Sequence, residues 1–215
     1  MNRRNIVILT GLGAAALFAG GAYYYTRTTA APEQPVVAMR EGLVRPHAPV
    51  IGLESAPVTI VEFFDPACES CRAFYPVVKQ ILAAYPYQVR LVLRYAAFHR
   101  GSDVAVGIIE AARKQDKFEP VLEALLEKQP EWASHAGPDL DRAWAIAAEA
   151  GLDVTRARQE ISVDDLKALL TQDMEDIRTL QVTGTPTFFV NGKSPESFGP
   201  EPLLKLVQDE IAAAK

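Results

Sequence analysis

Cysteine is scarce in this sequence, and so are the other residues that bind soft metals. The chain has 2 cysteines, 3 histidines and 3 methionines among 215 residues. Both cysteines lie in one short motif, Cys68 to Cys71, so a scaffold stabilised by several disulfides is excluded. The histidines (His47, His99 and His135) have no ligand spacing to the cysteines, and the methionines are scattered. No metal site is therefore predicted.

The sequence also lacks an excess of basic charge. The formal net charge is −5, and the first 30 residues hold three arginines and no acid, which leaves −8 for the rest. Phosphate binding needs a basic face, so nucleic acid is excluded as a partner. With 49% hydrophobic residues, the chain can bury the core of one domain with an elaboration.

Charge is absent over a membrane-spanning length near the N-terminus. Arg3 and Arg4 precede an uncharged run, of which the 21 residues 5–25 would span roughly 31 Å as a helix, about one hydrocarbon core. The arginines favour a cytoplasmic N-terminus. Residues 1–29 are thus predicted to be a membrane anchor, with a cleaved signal segment as the alternative.

Either form of this segment places the remaining chain outside the cytoplasm, in the periplasm or another extracytoplasmic compartment. Such a compartment is oxidising and permits disulfides. Residues 30–47, which contain prolines and mixed polar residues, are predicted to be a tether between the membrane and the domain.

The pattern of apolar residues predicts a β-α-β unit around the cysteines. The run APVTIVEFFD (residues 56–65) is rich in β-branched and aromatic residues, which is typical of a buried strand. Apolar residues recur at helical spacing over residues 74–85, and VRLVLRY (residues 89–95) is a second strand. Two strands joined through a helix are expected to pair in parallel.

Helices alone are predicted next, before strand character returns near the C-terminus. Apolar stripes mark helices within residues 102–181, where no strand pattern occurs. TPTFFVNGK (residues 185–193) predicts a strand, and Asn191-Gly192 predicts a hairpin turn with a short partner strand at residues 194–198. A final helix is expected after Gly199-Pro200.

On this layout Cys68 lies between the first strand and its helix, with Cys71 one turn inside the helix. Unpaired N–H groups and the helix dipole favour a thiolate there, and a thiolate is the attacking form in disulfide exchange. We predict that Cys68 is the exposed nucleophile and that Cys71 resolves the mixed disulfide. A static disulfide and a Cu(I)-binding dithiol remain as alternatives.

Glu69, directly after Cys68, is predicted to oppose ionisation of that thiol because it is a like charge. The helix terminus contributes about 0.3 to 2 kcal/mol in the other direction. The helix is expected to prevail narrowly, which makes Cys68 a moderately activated thiol and the pair a mild oxidant.

The chain resembles a known family in the order of its elements and in two motifs, FFDPACESC and VTGTPTFFVNGK. The family is the thioredoxin superfamily, in particular its DsbA-like branch of exported thiol–disulfide oxidoreductases. The resemblance implies an α/β thioredoxin fold with an inserted helical domain, preceded here by the N-terminal anchor or signal segment. The halves of the thioredoxin-like domain are then residues 48–101 and 182–215, and the helical insertion is residues 102–181.

The same resemblance implies roles for single residues. Pro186 matches the family's cis-proline, and Thr185 would offer backbone hydrogen bonds to an extended substrate. Glu62 matches a buried carboxylate that carries a proton for the resolving thiol, with a structural ion pair as the alternative. The best-known periplasmic oxidases have a histidine before the second cysteine. Here that residue is Ser70, so the resemblance does not imply strong oxidising power.

We therefore predict an enzyme that forms disulfides in cysteine-containing client proteins. The dithiol carries the electrons, so no cofactor is expected, and a quinone-linked membrane oxidase is the expected redox partner by family analogy. The first alternative reverses the flow: a membrane-tethered reductase or isomerase with a transmembrane electron donor. A Cu(I)-handling module is an alternative of a different class.

Overall fold

The computed structural model describes residues 42–214, which form a four-stranded sheet with helices on both faces. The strands are β1 (Val50–Ile51), β2 (Val58–Phe64), β3 (Val89–Tyr95) and β4 (Thr187–Val190), in the order β1-β3-β2-β4. The helices are α1 (Glu69–Ala84), α2 (Ser102–Lys114), α3 (Phe118–Glu127), α4 (Gln129–Trp132), α5 (Leu140–Glu149), α6 (Val154–Glu160), α7 (Val163–Thr179) and α8 (Pro200–Ala213).

The predicted β-α-β unit is confirmed. β2 and β3 pair in parallel, with Val58 opposite Val89 and Phe64 opposite Tyr95, and α1 connects them. β4 pairs antiparallel with the other edge of β2, and β1 pairs antiparallel with β3. The two-residue β1 was not predicted, because so short a strand has no readable alternation of apolar and polar residues.

The two faces of β2 contribute to two different cores. Ile60 and Phe64 belong to the larger core, which contains both cysteines and residues of α1 and α8. Val61 and Phe63 belong to a smaller core with Ile177 of α7. Successive side chains of a strand point to opposite faces, so Glu62 lies on the face that carries α1 and the cysteines.

The segment between β3 and β4 is helical, from α2 through α7, and no strand occurs within its residues 96–186. Three of its helices begin at capping residues whose side chains accept a hydrogen bond from the third residue of the helix: Asp139, Asp153 and Ser162. Its interior is apolar, with Leu122, Leu125 and Trp132 fully buried. Strand propensity is low throughout this segment, which explains why its helical character was predictable.

The turn after β4 forms as predicted, but the partner strand at residues 194–198 does not. Asn191 and Gly192 adopt φ angles of 48° and 85°, and one isolated bridge joins Val190 to Lys193. Pro195 lacks the N–H that a ladder would use. The ring of Phe198 instead packs on that of Phe74, with 4.7 Å between centroids.

The chain contacts the domain earlier than the predicted tether boundary at residue 47. Leu43 is buried, Arg45 lies 2.6 Å from Asp176, and His47 lies 2.6 Å from Asp173. These long-range pairs leave no local sequence signal, and the boundary between tether and domain stays a prediction. The structure does not describe residues 1–41. The predicted anchor or signal segment (residues 1–29) lies outside the described residues, and so do residues 30–41 of the predicted tether. Within residues 42–214, no helix has both the length and the apolar character needed to cross a bilayer.

A buried group of charges joins this entering segment to the sheet and to α7. Arg94 of β3 is fully buried and donates to Asp173 at 2.7 Å and to Asp176 at 2.6 Å. Its guanidinium also donates to the carbonyls of Gly42 and Leu43. Because burial of a charge is costly, such a group is stable only when the hydrogen bonds are satisfied, as they are here.

Replacing Arg94 by leucine is expected to lower the free energy of unfolding by about 3–5 kcal/mol, because two buried carboxylates lose their main cationic partner. Urea unfolding of the reduced protein measures this. Arg156→Leu is the control: it removes an exposed pair with Glu160 and should leave the unfolding midpoint nearly unchanged. Equal effects of the two substitutions would contradict the assignment.

Candidate active site

Cys68 and Cys71 lie at the start of α1, as predicted. Cys68 is the N-cap residue, Cys71 lies in the first turn, and both are free thiols. Cys71 is fully buried, and Cys68 is only 6% exposed. The predicted exposed nucleophile is thus largely covered: its Sγ lies 3.3 Å from the carbonyl oxygen of Thr185.

The two thiols have opposite ionisation behaviour. The pKa of Cys68 is lowered to about 5, mainly by a hydrogen bond from Cys71. Burial opposes this decrease. Hydrogen bonds with Thr185 and with the backbone N–H groups of Cys71 and Ser70 lower the pKa further. Burial, the hydrogen bond to Cys68 and the charge of Glu62 raise the pKa of Cys71 far above its ordinary value. At neutral pH the pair is therefore a Cys68 thiolate next to a Cys71 thiol.

Thr185 and Pro186 lie beside the thiolate, where the sequence placed them. The bond between them is cis, which confirms the predicted geometry. The β2–β4 ladder positions them: Phe63 pairs with Thr187 and Glu62 with Phe188, so the chain just before β4 reaches the end of β2. The strand pairing that begins at Thr187 therefore fixes the position of Thr185 and Pro186.

Glu62 is a buried carboxyl group for which the described part of the chain supplies no cationic partner. It is 1% exposed, and its Oε1 has no hydrogen-bond partner among the described residues. Burial, followed by the negative charge of Cys68, raises its pKa to about 8. No ion pair of Glu62 forms within residues 42–214, so the ion-pair alternative has no support there. A carboxyl group with this pKa exchanges protons near neutrality.

Asp65 is a functional residue that the sequence reasoning missed. Its fully buried carboxylate accepts hydrogen bonds from the backbone N–H groups of Ala67 (2.9 Å), Phe98 (2.8 Å) and His99 (3.0 Å) and from the Ser102 hydroxyl. The His99 ring also contacts it, with Nδ1 at 2.8 Å. The bond to Ala67, two residues on, is an Asx-turn, for which the Asp-Pro dipeptide was a readable signal.

The loop before α1 is held from two further directions. The N–H of Asp65 donates to the Cys71 sulfur at 3.4 Å. The buried side chain of Gln129, from α4, donates to the carbonyls of Pro66 (2.8 Å) and Cys68 (3.0 Å). The helical insertion therefore contributes directly to the conformation of the cysteine motif. No local pattern could have identified Gln129, because its contacts are more than 60 residues away in sequence.

Glu69 and Ser70, the two residues between the cysteines, differ in how they interact with Cys68. The Glu69 carboxylate is half-exposed and lies 2.8 Å from His135 Nε2. Its charge is not among the principal groups that set the pKa of Cys68, whereas the backbone N–H of Ser70 is. The tuning role assigned to these two residues stays a prediction.

Few further metal ligands surround the two thiols. Within the part of the chain that the structure describes, no three histidine, cysteine, aspartate or glutamate side chains are arranged to hold a metal ion. Two thiols alone can bind Cu(I), but no additional observation favours that use.

A family model with the description Thioredoxin matches residues 45–209, and the chain therefore belongs to the thioredoxin family. It is similar in structure to a thioredoxin-like oxidoreductase from Silicibacter pomeroyi, with a TM-score of 0.69, 32% identity, and coverage of 82% of this chain and 99% of that one. The thioredoxin-like α/β fold is thereby confirmed.

Two curated relatives differ in how much of them the chain covers. It is 29% identical to disulfide bond formation protein D of Bacillus subtilis over 166 residues, 70% of each chain. It is 32% identical to the Na(+)/H(+) antiporter NhaA 3 of Salinispora tropica over 170 residues, 77% of this chain but 25% of the antiporter. The chain spans about a quarter of the antiporter's length. The family match and these relatives together confirm the resemblance to DsbA-like thiol–disulfide oxidoreductases.

Replacing Glu62 by glutamine is expected to change how stability depends on pH. The folded-state pKa lies near 8 and the ordinary value is 4.5, so the folded state gains stability from binding this proton at low pH and loses it as the pH rises from about 4.5 to about 8. The loss approaches roughly 1.4 kcal/mol per pH unit while only the folded state is protonated. The reduced variant should lose less stability over this range, as measured by urea unfolding at several pH values.

An exposed carboxylate provides the control for that measurement. Glu123→Gln removes a half-exposed side chain paired with Lys79 and should leave the pH dependence unchanged. Parallel stability curves for the wild type and Glu62→Gln would show that Glu62 has no raised pKa.

Proposed function

We propose that this protein is an exported thiol–disulfide oxidoreductase that forms disulfides in client proteins through Cys68 and Cys71. The observation that carries the proposal is the arrangement of the pair at the start of α1. The Cys68 sulfur lies against the Thr185 carbonyl, whereas Cys71 is fully buried and is affected by the charge of Glu62. A static disulfide would need neither the asymmetric burial nor an uncompensated carboxyl group beneath the thiols.

The reaction has two exchange steps. A client thiolate attacks Cys68 in the Cys68–Cys71 disulfide; the new bond joins client sulfur to Cys68, and the electron pair of the broken bond passes to Cys71. A second client thiolate then attacks the client sulfur of the mixed disulfide, and Cys68 leaves with the electron pair. The client has lost two electrons and two protons. The dithiol has gained the electrons and one proton, and the other proton enters solvent.

Glu62 is proposed to supply the proton that Cys71 takes up. Cys71 is strongly disfavoured as a thiolate, so it needs a proton as the disulfide opens. Glu62 lies on the same face of β2, is protonated near neutral pH and has a charge that affects Cys71. Proton transfer between these buried groups avoids a charged sulfur in an apolar core.

Thr185 and Pro186 are proposed to position the client segment. The β2–β4 pairing holds the chain that precedes Thr187 at the end of β2, and the Thr185 carbonyl oxygen lies 3.3 Å from the Cys68 sulfur. An extended client peptide that hydrogen-bonds this backbone would present its cysteine to Cys68.

Oxidation is the preferred direction of transfer. A readily ionised Cys68 stabilises the reduced form of the pair, and stabilisation of the reduced form makes a dithiol pair more oxidising. The name of the Bacillus subtilis relative, disulfide bond formation protein D, supports the same direction. A reductase or isomerase would use the same residues but would transfer electrons to the client. The reduction potential of the cysteine pair distinguishes this alternative from the oxidase.

Export, tethering to the inner membrane and re-oxidation by a quinone-linked membrane partner complete the proposal. Their support is the uncharged run at residues 5–26 behind two arginines. A dithiol oxidant requires an oxidising compartment, which is consistent with this placement. The activity of the antiporter relative is not carried over to this chain.

Cys71→Ser should accumulate a mixed disulfide. Its Cys68 thiolate can still attack an insulin disulfide, but no second thiol remains to release the adduct. Non-reducing electrophoresis and mass spectrometry should find a one-to-one adduct through Cys68. Cys68→Ser is the matched control and should give only background. Absence of the adduct in Cys71→Ser, with the fold intact, would contradict the proposed function.

The reduction potential of the Cys68/Cys71 pair should be more oxidising than roughly −200 mV, because the reduced form contains a stabilised thiolate. Equilibration with glutathione buffers, followed by alkylation of free thiols, measures it. A value near roughly −270 mV, typical of thioredoxin, would exclude the oxidase and favour the reductase.

A further inference from the structure

His99 lies in the loop between β3 and α2 and is held beside the cysteine motif by Asp65. Its ring Nδ1 lies 2.8 Å from the Asp65 carboxylate, and its backbone N–H donates to the same oxygen at 3.0 Å. With Nδ1–H donating to the carboxylate, Nε2 is the nitrogen that gains and loses a proton. The side chain is 37% exposed, so Nε2 can exchange that proton with solvent.

Charged groups from two neighbouring elements, β2 and α1, act on the imidazole ring of His99. Asp65 at the end of β2 binds it directly, and Cys68 and Glu69 at the start of α1 interact with it through their charges. The Asp65 hydrogen bond first, and then these three negative charges, raise the pKa of His99 above its ordinary value, while burial opposes the change. His135 pairs with the Glu69 carboxylate, with its Nε2 at 2.8 Å.

We propose that His99, oriented by Asp65, supplies the positive charge that stabilises the Cys68 thiolate. The cysteine motif itself contains no cation between its thiols, since the intervening residues are Glu69 and Ser70. The charge instead comes from a loop 31 positions beyond Cys68 in the sequence. This inference rests on the proposed function and adds to it a charged group that acts, beside the main hydrogen bond from Cys71, on the ionisation of the attacking and leaving sulfur.

The positive charge of His99 affects the step of the reaction that releases the client. When the second client thiolate attacks, the electron pair of the mixed disulfide passes to the Cys68 sulfur. The imidazolium of His99 stabilises this developing charge and keeps its own proton, so no additional proton transfer enters the balance. A sulfur with a lower pKa leaves faster, and the reduced pair becomes more stable relative to the disulfide. As the pH rises through the pKa of His99, the imidazolium is lost and this contribution disappears.

His99→Asn tests the charge separately from the fold. An asparagine Nδ2 can donate to Asp65 from nearly the position of the imidazole Nδ1, so the loop keeps its hydrogen bond while the positive charge is removed. The ultraviolet absorbance of the thiolate, followed against pH, should show that the acid dissociation constant of Cys68 falls roughly threefold to tenfold. The reduction potential should become more negative in the same variant.

His135→Asn is the matched control, because it removes the other imidazole near the start of α1, one that pairs with Glu69 rather than with Asp65. It should change the Cys68 dissociation constant much less than His99→Asn does. Equal effects of the two variants, or no effect of His99→Asn in a protein of unchanged stability, would overturn the proposal.

A reciprocal measurement needs no substitution. Coupling between two sites is mutual, so His99 should have a higher pKa in the dithiol protein, where Cys68 is a thiolate, than in the disulfide protein. Nuclear magnetic resonance titration of the imidazole in both redox states measures this difference, and identical titration curves would overturn the proposal. Because these readouts follow ionisation, they are independent of whether Cys71→Ser captures a client, and the two proposals can fail separately.

Discussion

The Asp65 carboxylate determines how the chain is arranged around the two thiols. It is fully buried, and its hydrogen-bond partners come from the residue before Cys68 and from the loop at residues 98–102. A buried charge is tolerated only when such donors surround it, so the turn into α1 and the loop after β3 cannot rearrange independently. The position of Cys68 at the helix terminus and the position of His99 beside it both follow from this one constraint.

Three of the buried acids among the described residues have different surroundings. Asp65 accepts several hydrogen bonds, most of them from backbone N–H groups, whereas Asp173 is paired with Arg94 and accepts from the backbone N–H of Tyr95. Glu62 has neither, and burial raises its pKa to about 8. Similar side chains therefore serve as a structural support, as part of an ion cluster and, in the case of Glu62, as the proposed proton carrier. The difference lies in the number of donors that the surrounding backbone offers to each carboxylate.

The elements that were predictable are those with a local signal. Alternating or helical apolar patterns identified β2, α1, β3, the helical insertion and β4, and Asn191-Gly192 identified its turn. The prediction of a partner strand at residues 194–198 was wrong, because Pro195 and the packing of Phe198 on Phe74 oppose a ladder of strand hydrogen bonds. The pairs that Arg45 and His47 form could not be predicted, because their partners are more than 120 positions away in the sequence.

The sequence by itself determined the pair of thiols, their place at a helix terminus and the Thr-Pro dipeptide before a later strand, because each is encoded by neighbouring residues. Tertiary structure alone decided which groups control those thiols. Asp65, His99 and Gln129 approach the motif from β2, the loop after β3 and α4, and their contacts exist only once the sheet and the insertion are assembled. Ionisation depends on distance and burial in space, and neither quantity is encoded by spacing along the chain.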